Sequence, residues 1–337
     1  MKSAPTLEDV AQTAGVSTAT ISRALNDPDK VAKKTRDRIQ QAIDTLGYTP
    51  NFGGRALATS RVTTVGAVIP TMANAMFASG LQAFQEVLSE AGVTLLIGTS
   101  GYRPDEEFRQ IKSLIGHGVG GLLLIGRDRS DAATQFLRTR QVPYVLSWCL
   151  GDEGTDTFAG FDNQKAAAQM LHTVLDHGHR DIGLIVGKTE GNDRARARLA
   201  GMTSAIDAFG RGAKAVRVIE TEYRLEYGAE ACEAILSSAP ETTAIVCGND
   251  VLAAGALTYA KKVGLNLPDA LSIVGFDDIG IASVTSPALT TVRVPQIEMG
   301  CAAAELILER ISGVQNVANV TLDTKVIMRD SLTRRHG

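Results

Sequence analysis

Thr18, Ala19, Ser22 and Arg23 fall on one side of a short segment, TATISRALN, and their types suit the edges of base pairs. An arginine fork can give two parallel hydrogen bonds to a guanine, and a small apolar side chain can touch a thymine methyl. A second set of residues follows apolar runs. Trp148 comes after YVLS, Asn249 and Asp250 after AIVCG, and Asp277 after SIVGF. Met76 and Phe77 follow VGAVIP, while Asn192, Arg194 and Arg198 follow IGLIVG and Tyr223 follows AVRVIE. In open α/β sheets, ligands sit outside the carboxyl ends of strands, so this set predicts hydrogen bonds and apolar walls around a small polar molecule. No nucleophile stands beside a base, and no catalytic residue is expected. His177-Gly178-His179 has no third ligand near it in sequence, so no metal is expected. GHGVGG (116–121) lacks the dinucleotide spacing and precedes an apolar run, so no cofactor is expected.

Holding the first set in place takes two short helices and a tight turn. Leu7, Val10, Ala11 and Ala14 stand at i, i+3, i+4 and i+7, one stripe of an amphipathic helix. Thr6 is its expected N-cap, with Asp9 at the reciprocal capping position. Gly15-Val16 breaks the run, and Ser17 caps a second helix with Ile21, Ala24 and Leu25 on its apolar side. Asn26-Asp27-Pro28-Asp29 is turn chemistry. A third helix is expected from about Thr35 to Leu46, with Ile39, Ala42, Ile43 and Leu46 inward. Ala11 must be small where the helices cross, and Gly15 permits the turn. This is the spacing of a helix-turn-helix, whose second helix enters a major groove. Residues 1–61 hold nine Lys/Arg against six Asp/Glu, a net of +3, while the rest of the chain carries −6. A basic head on an acidic body points one end toward a polyanion.

Beyond Val62 the pattern changes. Runs such as TTVGAVIP (63–70), VTLLIGTS (93–100), GLLLIG (121–126), DIGLIVG (181–187), LSIVGFDD (271–278) and TTVRVP (290–295) alternate with helical stretches such as 77–91, 163–177 and 297–312. Near-continuous apolar strands separated by helices predict parallel sheet covered on both faces. The length of this region predicts two such sheets.

Composition narrows the classes further. With 44% hydrophobic and 21% charged residues, the chain has an ordinary globular mix, which excludes wholesale disorder. Cys149, Cys232, Cys247 and Cys301 share no short spacing, against a disulfide framework or a zinc site. Reduced thiols suggest the cytosol. The start MKSAPTLEDVAQTAG has no apolar h-region of a secretory signal. No stretch approaches the roughly 18–20 apolar residues of a membrane span. A cytoplasmic, nucleoid-associated protein without a membrane partner is expected.

The run TLEDVAQTAGVSTATISRALN, followed by TRDRIQQAIDTLGYTPNFGGRALATSR, resembles the lac-repressor/galactose-repressor (LacI/GalR) family of bacterial transcription regulators. RLAG (198–201), Asn249-Asp250 and GFDD (275–278) extend the resemblance over essentially the whole chain. It implies an α/β architecture with an N-terminal three-helix helix-turn-helix head (1–50), a hinge helix (51–61) and a periplasmic-binding-protein-like body (62–337). The body would consist of two Rossmann-like lobes, lobe one at about 62–160 and 294–323 and lobe two at about 161–293 and 324–337. By resemblance, Thr18, Ala19 and Arg23 read bases, and Thr6, Ser17, Thr20, Ser22, Asn26 and Thr35 contact phosphates, which fix register. Leu57 takes the place of a minor-groove wedge. Gly53-Gly54 depart from the family's usual alanine or polar residues, at about 1 kcal/mol of helix stability each relative to alanine. Met76, Phe77, Trp148, Asn192, Arg194, Arg198, Tyr223, Asn249 and Asp277 match effector-pocket positions. Trp148 stands where sugar-binding members often carry aspartate. Two arginines then face one matched acid, which points to an anion, a small sugar acid such as an aldonate and next a phosphorylated sugar, with a neutral sugar as the main rival.

The expected function is a non-enzymatic, sequence-specific regulator, a repressor controlled by a small-molecule effector. Its expected partners are double-stranded DNA with a pseudo-palindromic operator, a sugar or sugar acid, and a second copy of itself. The terminal IMRDSLTRRHG lacks the apolar heptads of a tetramerising coiled coil, which favours a homodimer. The body alone would also fit a solute-binding protein of a transport system. The DNA-binding head counts against that alternative. An enzyme on Rossmann lobes is disfavoured by the missing catalytic constellation.

Overall fold

Thr6 and Asp9 start the first helix by capping each other. The Asp9 amide donates to Thr6 Oγ1 at 3.3 Å and the Thr6 amide to Asp9 Oδ2 at 2.7 Å, so two amides without helical partners are satisfied at once. Helix α1 (Leu7–Ala14) then ends at Gly15, whose φ of 61° is left-handed and costs a residue without Cβ nothing. Ser17 accepts from the Thr20 amide at 3.2 Å and opens α2 (Thr18–Asn26). Helix α3 (Lys33–Leu46) begins ahead of the expected Thr35, because its N-cap Ala32 makes no side-chain cap and leaves no mark in the sequence. Val10, Ala11, Ala14, Ile21, Ile39 and Ala42 form the buried core of this head.

The computed structural model describes residues 5–49 and 62–335, and the chain divides into units Met1–Thr63 and Thr64–Gly337. The expected hinge helix, with Gly53, Gly54 and Leu57, lies outside the described residues, as does the side chain of Asn26.

The second unit carries two parallel sheets. One is built from β1 (Thr64–Ile69), β2 (Thr94–Thr99), β3 (Leu122–Ile125), β4 (Tyr144–Ser147), β5 (Phe158–Gly160) and β11 (Val320–Thr321), in the order β11-β5-β4-β3-β1-β2. It is accompanied by α4 (Ala75–Glu90), α5 (Pro104–Gly116), α6 (Asp131–Arg140) and α12 (Gln296–Ile311). The other sheet holds β6 (Asp181–Gly187), β7 (Lys214–Thr221), β8 (Ala244–Cys247) and β9 (Ser272–Val274), in the order β7-β6-β8-β9. With it go α7 (Asn163–Asp176), α8 (Asp193–Phe209), α9 (Leu225–Ser238), α10 (Asp250–Lys262) and the short α11 (Gly280–Val284). The strands β3 (LLLI) and β8 (AIVC) are buried at every position, as a sheet covered on both faces requires.

One run expected to join the parallel strands behaves differently. Residues of TTVRVP form β10 (Thr291–Arg293), which pairs antiparallel with β12 (Lys325–Ile327). Here β10 leaves the second sheet for lobe one and β12 returns from it, so the two crossing strands run in opposite directions. Lone parallel bridges, Val274 to Thr290 and Asp277 to Arg293, tie this ribbon to the edge of the second sheet. The chain passes between sheets after β5, after β10, and between β11 and β12. Among the described residues, no helix is long and apolar enough to cross a membrane.

Candidate functional site

In the head, α2 turns Ile21 into the core and leaves Ala19, Ser22 and Arg23 exposed on the opposite side, with Thr18 half-buried in the first turn. No acidic residue occupies that first turn, so the partial positive charge of the helix start is not offset and suits a phosphate. Ser17 and Thr20 share a hydroxyl contact of 2.9 Å beside it. The Thr6 amide, and after it the Thr6 hydroxyl, donate to Asp9 and hold its carboxyl below the ordinary value. Thr35 is half-buried in the first turn of α3.

In the second unit, a narrow cavity, about 250 Å³ with open solvent counted, lies at the carboxyl ends of both sheets. Of the residues expected there, Met76, Phe77, Asn192, Arg194, Arg198, Tyr223, Asn249 and Asp277 line it, and the structure adds Asn74 and Tyr102. Three asparagines cap the helices that converge on the cavity. Asn74 Oδ1 accepts from the Met76 amide at the start of α4, Asn192 Oδ1 from the Ala195 amide of α8, and Asn249 Oδ1 from the Leu252 amide of α10. Each oxygen has one lone pair committed to capping, so each asparagine retains its two N–H donors and one acceptor position. Asn192 Nδ2 reaches the Tyr223 hydroxyl at 3.4 Å, while Asn249 Nδ2 is buried without a partner among the described residues.

Arg198 is the centre of a buried network. Its Nε donates to Asn163 Oδ1 at 2.8 Å and its Nη1 to the Gly248 carbonyl at 2.7 Å and to Asp277 Oδ1 at 3.2 Å. The guanidinium also lies 3.8 Å from the Phe276 ring centroid, a cation–π contact. Asp277 keeps Oδ2 buried without a partner among the described residues. Burial raises its carboxyl to about 6, outweighing the opposite pull of Arg198. Burial likewise raises the hydroxyls of Tyr102 and Tyr223, which therefore stay protonated as donors.

Several expectations need correction. Trp148 does not line the cavity. Its backbone is left-handed, at φ 59°, and its fully buried indole packs edge-on to Phe77 and against Gly80, where a Cβ would come within 2.5 Å of the ring. It shapes the wall from behind. The charge surplus is absent too, because Arg194 pairs with Asp193 at 2.7 Å. Asp193, overlooked in the sequence, also accepts from the Arg127 amide at 2.8 Å, and Arg194 Nη1 donates to the Ile125 carbonyl at 3.2 Å. Together with the Arg196–Asp128 pair at 2.7 Å, these bonds join the start of α8 to the loop after β3 across the two lobes. Gly126 is left-handed at φ 78°, a backbone that favours glycine, and a Cβ there would also displace the Arg194 guanidinium and the Asp193 carboxylate.

The remaining conspicuous residues hold structure. Asp250 is fully buried and accepts from the Ile279 amide at 2.9 Å. Asp278 pairs with Arg293 at 2.7 Å and Arg329 at 2.6 Å, binding the loop after β9 to both crossing segments. His179 spends its ring nitrogens on Thr243 Oγ1 and the Thr333 carbonyl, and His177 Nδ1 donates to the Thr173 carbonyl. Among the described residues, no group of three or more His, Cys, Asp or Glu could hold a metal ion.

Comparison with known proteins matches both units. Residues 6–51 match the model "Bacterial regulatory proteins, lacI family" and residues 171–332 match "Periplasmic binding protein-like domain". The chain is 32% identical to the HTH-type transcriptional repressor CytR of Escherichia coli (strain K12), over 98% of this chain and 97% of CytR. A transcriptional regulator of the LacI family from Silicibacter pomeroyi superposes with a TM-score of 0.90 at 28% identity, covering 98% of this chain and 100% of that one. The regulator CelR in complex with cellobiose gives a TM-score of 0.72 at 30% identity, covering 97% and 99%. These relatives are regulators, not enzymes.

Proposed function

Because the chain belongs to the lacI family of bacterial regulatory proteins, we propose that it is a repressor whose hold on a pseudo-palindromic operator is set by a small sugar or sugar acid in the interlobe cavity. That it is a DNA-binding transcription regulator follows from the family. Its operator contacts come from the exposed face of α2, with Thr18, Ala19 and Arg23 at base edges. Thr6, Ser17, Thr20, Ser22, Asn26 and Thr35 would lie on phosphates, and Leu57 would serve as the wedge. A homodimer brings two heads to two half-sites, since two-fold protein symmetry maps onto a palindrome.

The observation that carries the ligand class is the orphaned pair in the cavity: Asn249 Nδ2, a donor, and Asp277 Oδ2, an acceptor, both buried and without a partner among the described residues. A buried polar atom without a partner costs about 1–3 kcal/mol, and a polyhydroxylated ligand satisfies both at once. Within that class, donors outnumber acceptors. The three capping asparagines each keep two N–H donors against one remaining acceptor position, Arg194 lines the wall, and the starts of α4, α8 and α10 add partial positive charge. This favours a sugar acid such as an aldonate over its neutral parent, although Asp193 offsets the charge of Arg194. The ligand touches both lobes, so its binding and lobe closure are coupled, and ligand and operator affinities shift each other reciprocally.

Calorimetry with an aldonate and its parent aldose tests the class, and a salt-dependent mobility shift with palindromic DNA tests the head. The aldonate is expected to bind more tightly, and Arg194→Ala to abolish that preference. Equal affinity for acid and aldose would refute the acid.

A further inference from the structure

Tyr102 lines three neighbouring cavities in the cleft: the inner one just described, a second beside Glu107 and Asp128, and a wide mouth beside Arg103, Lys188 and Arg224. It projects from the turn after β2, where Gly101 and Tyr102 both have φ near 60°. A bulky residue rarely takes that backbone. The turn is pinned to lobe one, with the Gly101 amide donating to the Pro70 carbonyl at 2.8 Å and the Arg103 amide to the Ser100 carbonyl at 3.1 Å. Opposite it, Tyr223 of lobe two is seated over Gly187, where a Cβ would stand 2.2 Å from the phenol. The two rings meet across the cleft with centroids 5.7 Å apart and a tilt of 44°, within the range of an aromatic pair. Each lobe contributes one rigidly held ring.

We propose that this tyrosine pair limits the length of the effector, with Tyr102 as the specificity-determining residue. The inference rests on the reading of the cleft as a sugar site. The inner space, about 250 Å³ with open solvent counted, leaves room between its walls for about one water as the lobes stand, so the lobes must part to admit even one sugar unit there. The mouth is far larger, about 1640 Å³ with its opening to solvent included. A second unit would have to extend into that mouth between the rings, holding them apart and the lobes with them. A one-unit ligand lets the rings meet behind it.

The test uses the full chain, Tyr102→Phe, Tyr102→Ala and Tyr102→Leu. Each is titrated with gluconate and glucose and with their two-unit counterparts, cellobionate and cellobiose. Trp148 is the single tryptophan and packs on Phe77 of the inner cavity, so its fluorescence reports occupancy alongside calorimetry. The unaltered chain and Tyr102→Phe, which keeps the ring, are expected to prefer one-unit ligands by at least about tenfold, and Tyr102→Ala to narrow the gap to about threefold or less. Circular dichroism checks folding. If the alanine variant does not fold, Tyr102→Leu decides by the same ratio. An unchanged ratio in a folded variant, or equal affinity of the unaltered chain for both lengths, overturns the gate and leaves the sugar reading intact. If none of the four ligands gives heat or a fluorescence change with any of the proteins, the sugar reading falls and the gate falls with it.

Discussion

Arg23 and Arg198 are both assigned to recognition, yet their surroundings have little in common. Arg23 is exposed in the last turn of α2, on the side away from the Ile21 core. Arg198 is buried and bonds to Asn163, Gly248 and Asp277, which lie far apart in the sequence. The residues proposed to read bases come from about one turn and a half of a single helix in the head, while the body gathers its cavity from the ends of separate strands. The head can therefore change what it reads without changing how it folds. In the body, the residues that would touch a ligand also cap helices and satisfy buried charge, so specificity and stability are hard to separate.

Removing one arginine from each region gives the strongest test of that contrast. Arg198→Ala leaves Asp277 buried without its ion pair and should destabilise the body by about 3–5 kcal/mol, measured by urea unfolding, with ligand binding lost. A loss confined to binding, with unfolding unchanged, would break the comparison. Next comes pH. Burial raises the Asp277 carboxyl to about 6 in the folded chain from its ordinary 3.8, so between those values the folded state holds a proton that the unfolded chain has released. Its contribution is complete below about pH 4 and is lost as the pH rises through about 6, at most about 3 kcal/mol. Unfolding curves from pH 4 to 7 should show this fall, and Asp277→Asn should flatten it. Arg23→Ala should cost about 1–3 kcal/mol on the cognate operator, at one base pair per half-site, with the urea midpoint unmoved. Equal weakening on random DNA in a mobility shift would reduce Arg23 to a plain charge. The smallest effect belongs to Thr6→Ala. It removes the capping box and should lower head stability by about 1 kcal/mol, read from the thermal melt, while the body's melt stays in place.

The same contrast explains what could be read from the sequence. Thr6, Asp9, Gly15 and Ser17 act on neighbours within four positions, so their roles are visible in linear order. The start of α3 was not, because Ala32 caps nothing. In the body, strand ends located most of the cavity, since a strand followed by a helix places its next residue at the carboxyl edge of the sheet. Asn74 had a usable signal as an N-cap before an apolar helix, and Asp193 stood next to an arginine already singled out. Tyr102 had none, because only a left-handed turn aims it across the cleft. Trp148 was misplaced for a similar reason. Its position after YVLS is that of a cavity residue, but its backbone turns the indole behind Phe77.

Asp278, with Arg293 and Arg329, fastens the points where the chain leaves and re-enters the second sheet. Between the fixed elements run only residues 161–162, 294–295 and 322–324. A strand of two or three residues spans about 10 Å at full stretch, so three such tethers side by side allow little translation of one lobe against the other. What they leave is rotation. A molecule the size of a sugar, wedged or withdrawn at one edge of such a joint, is converted into an angle, and an angle grows into displacement with distance from the pivot.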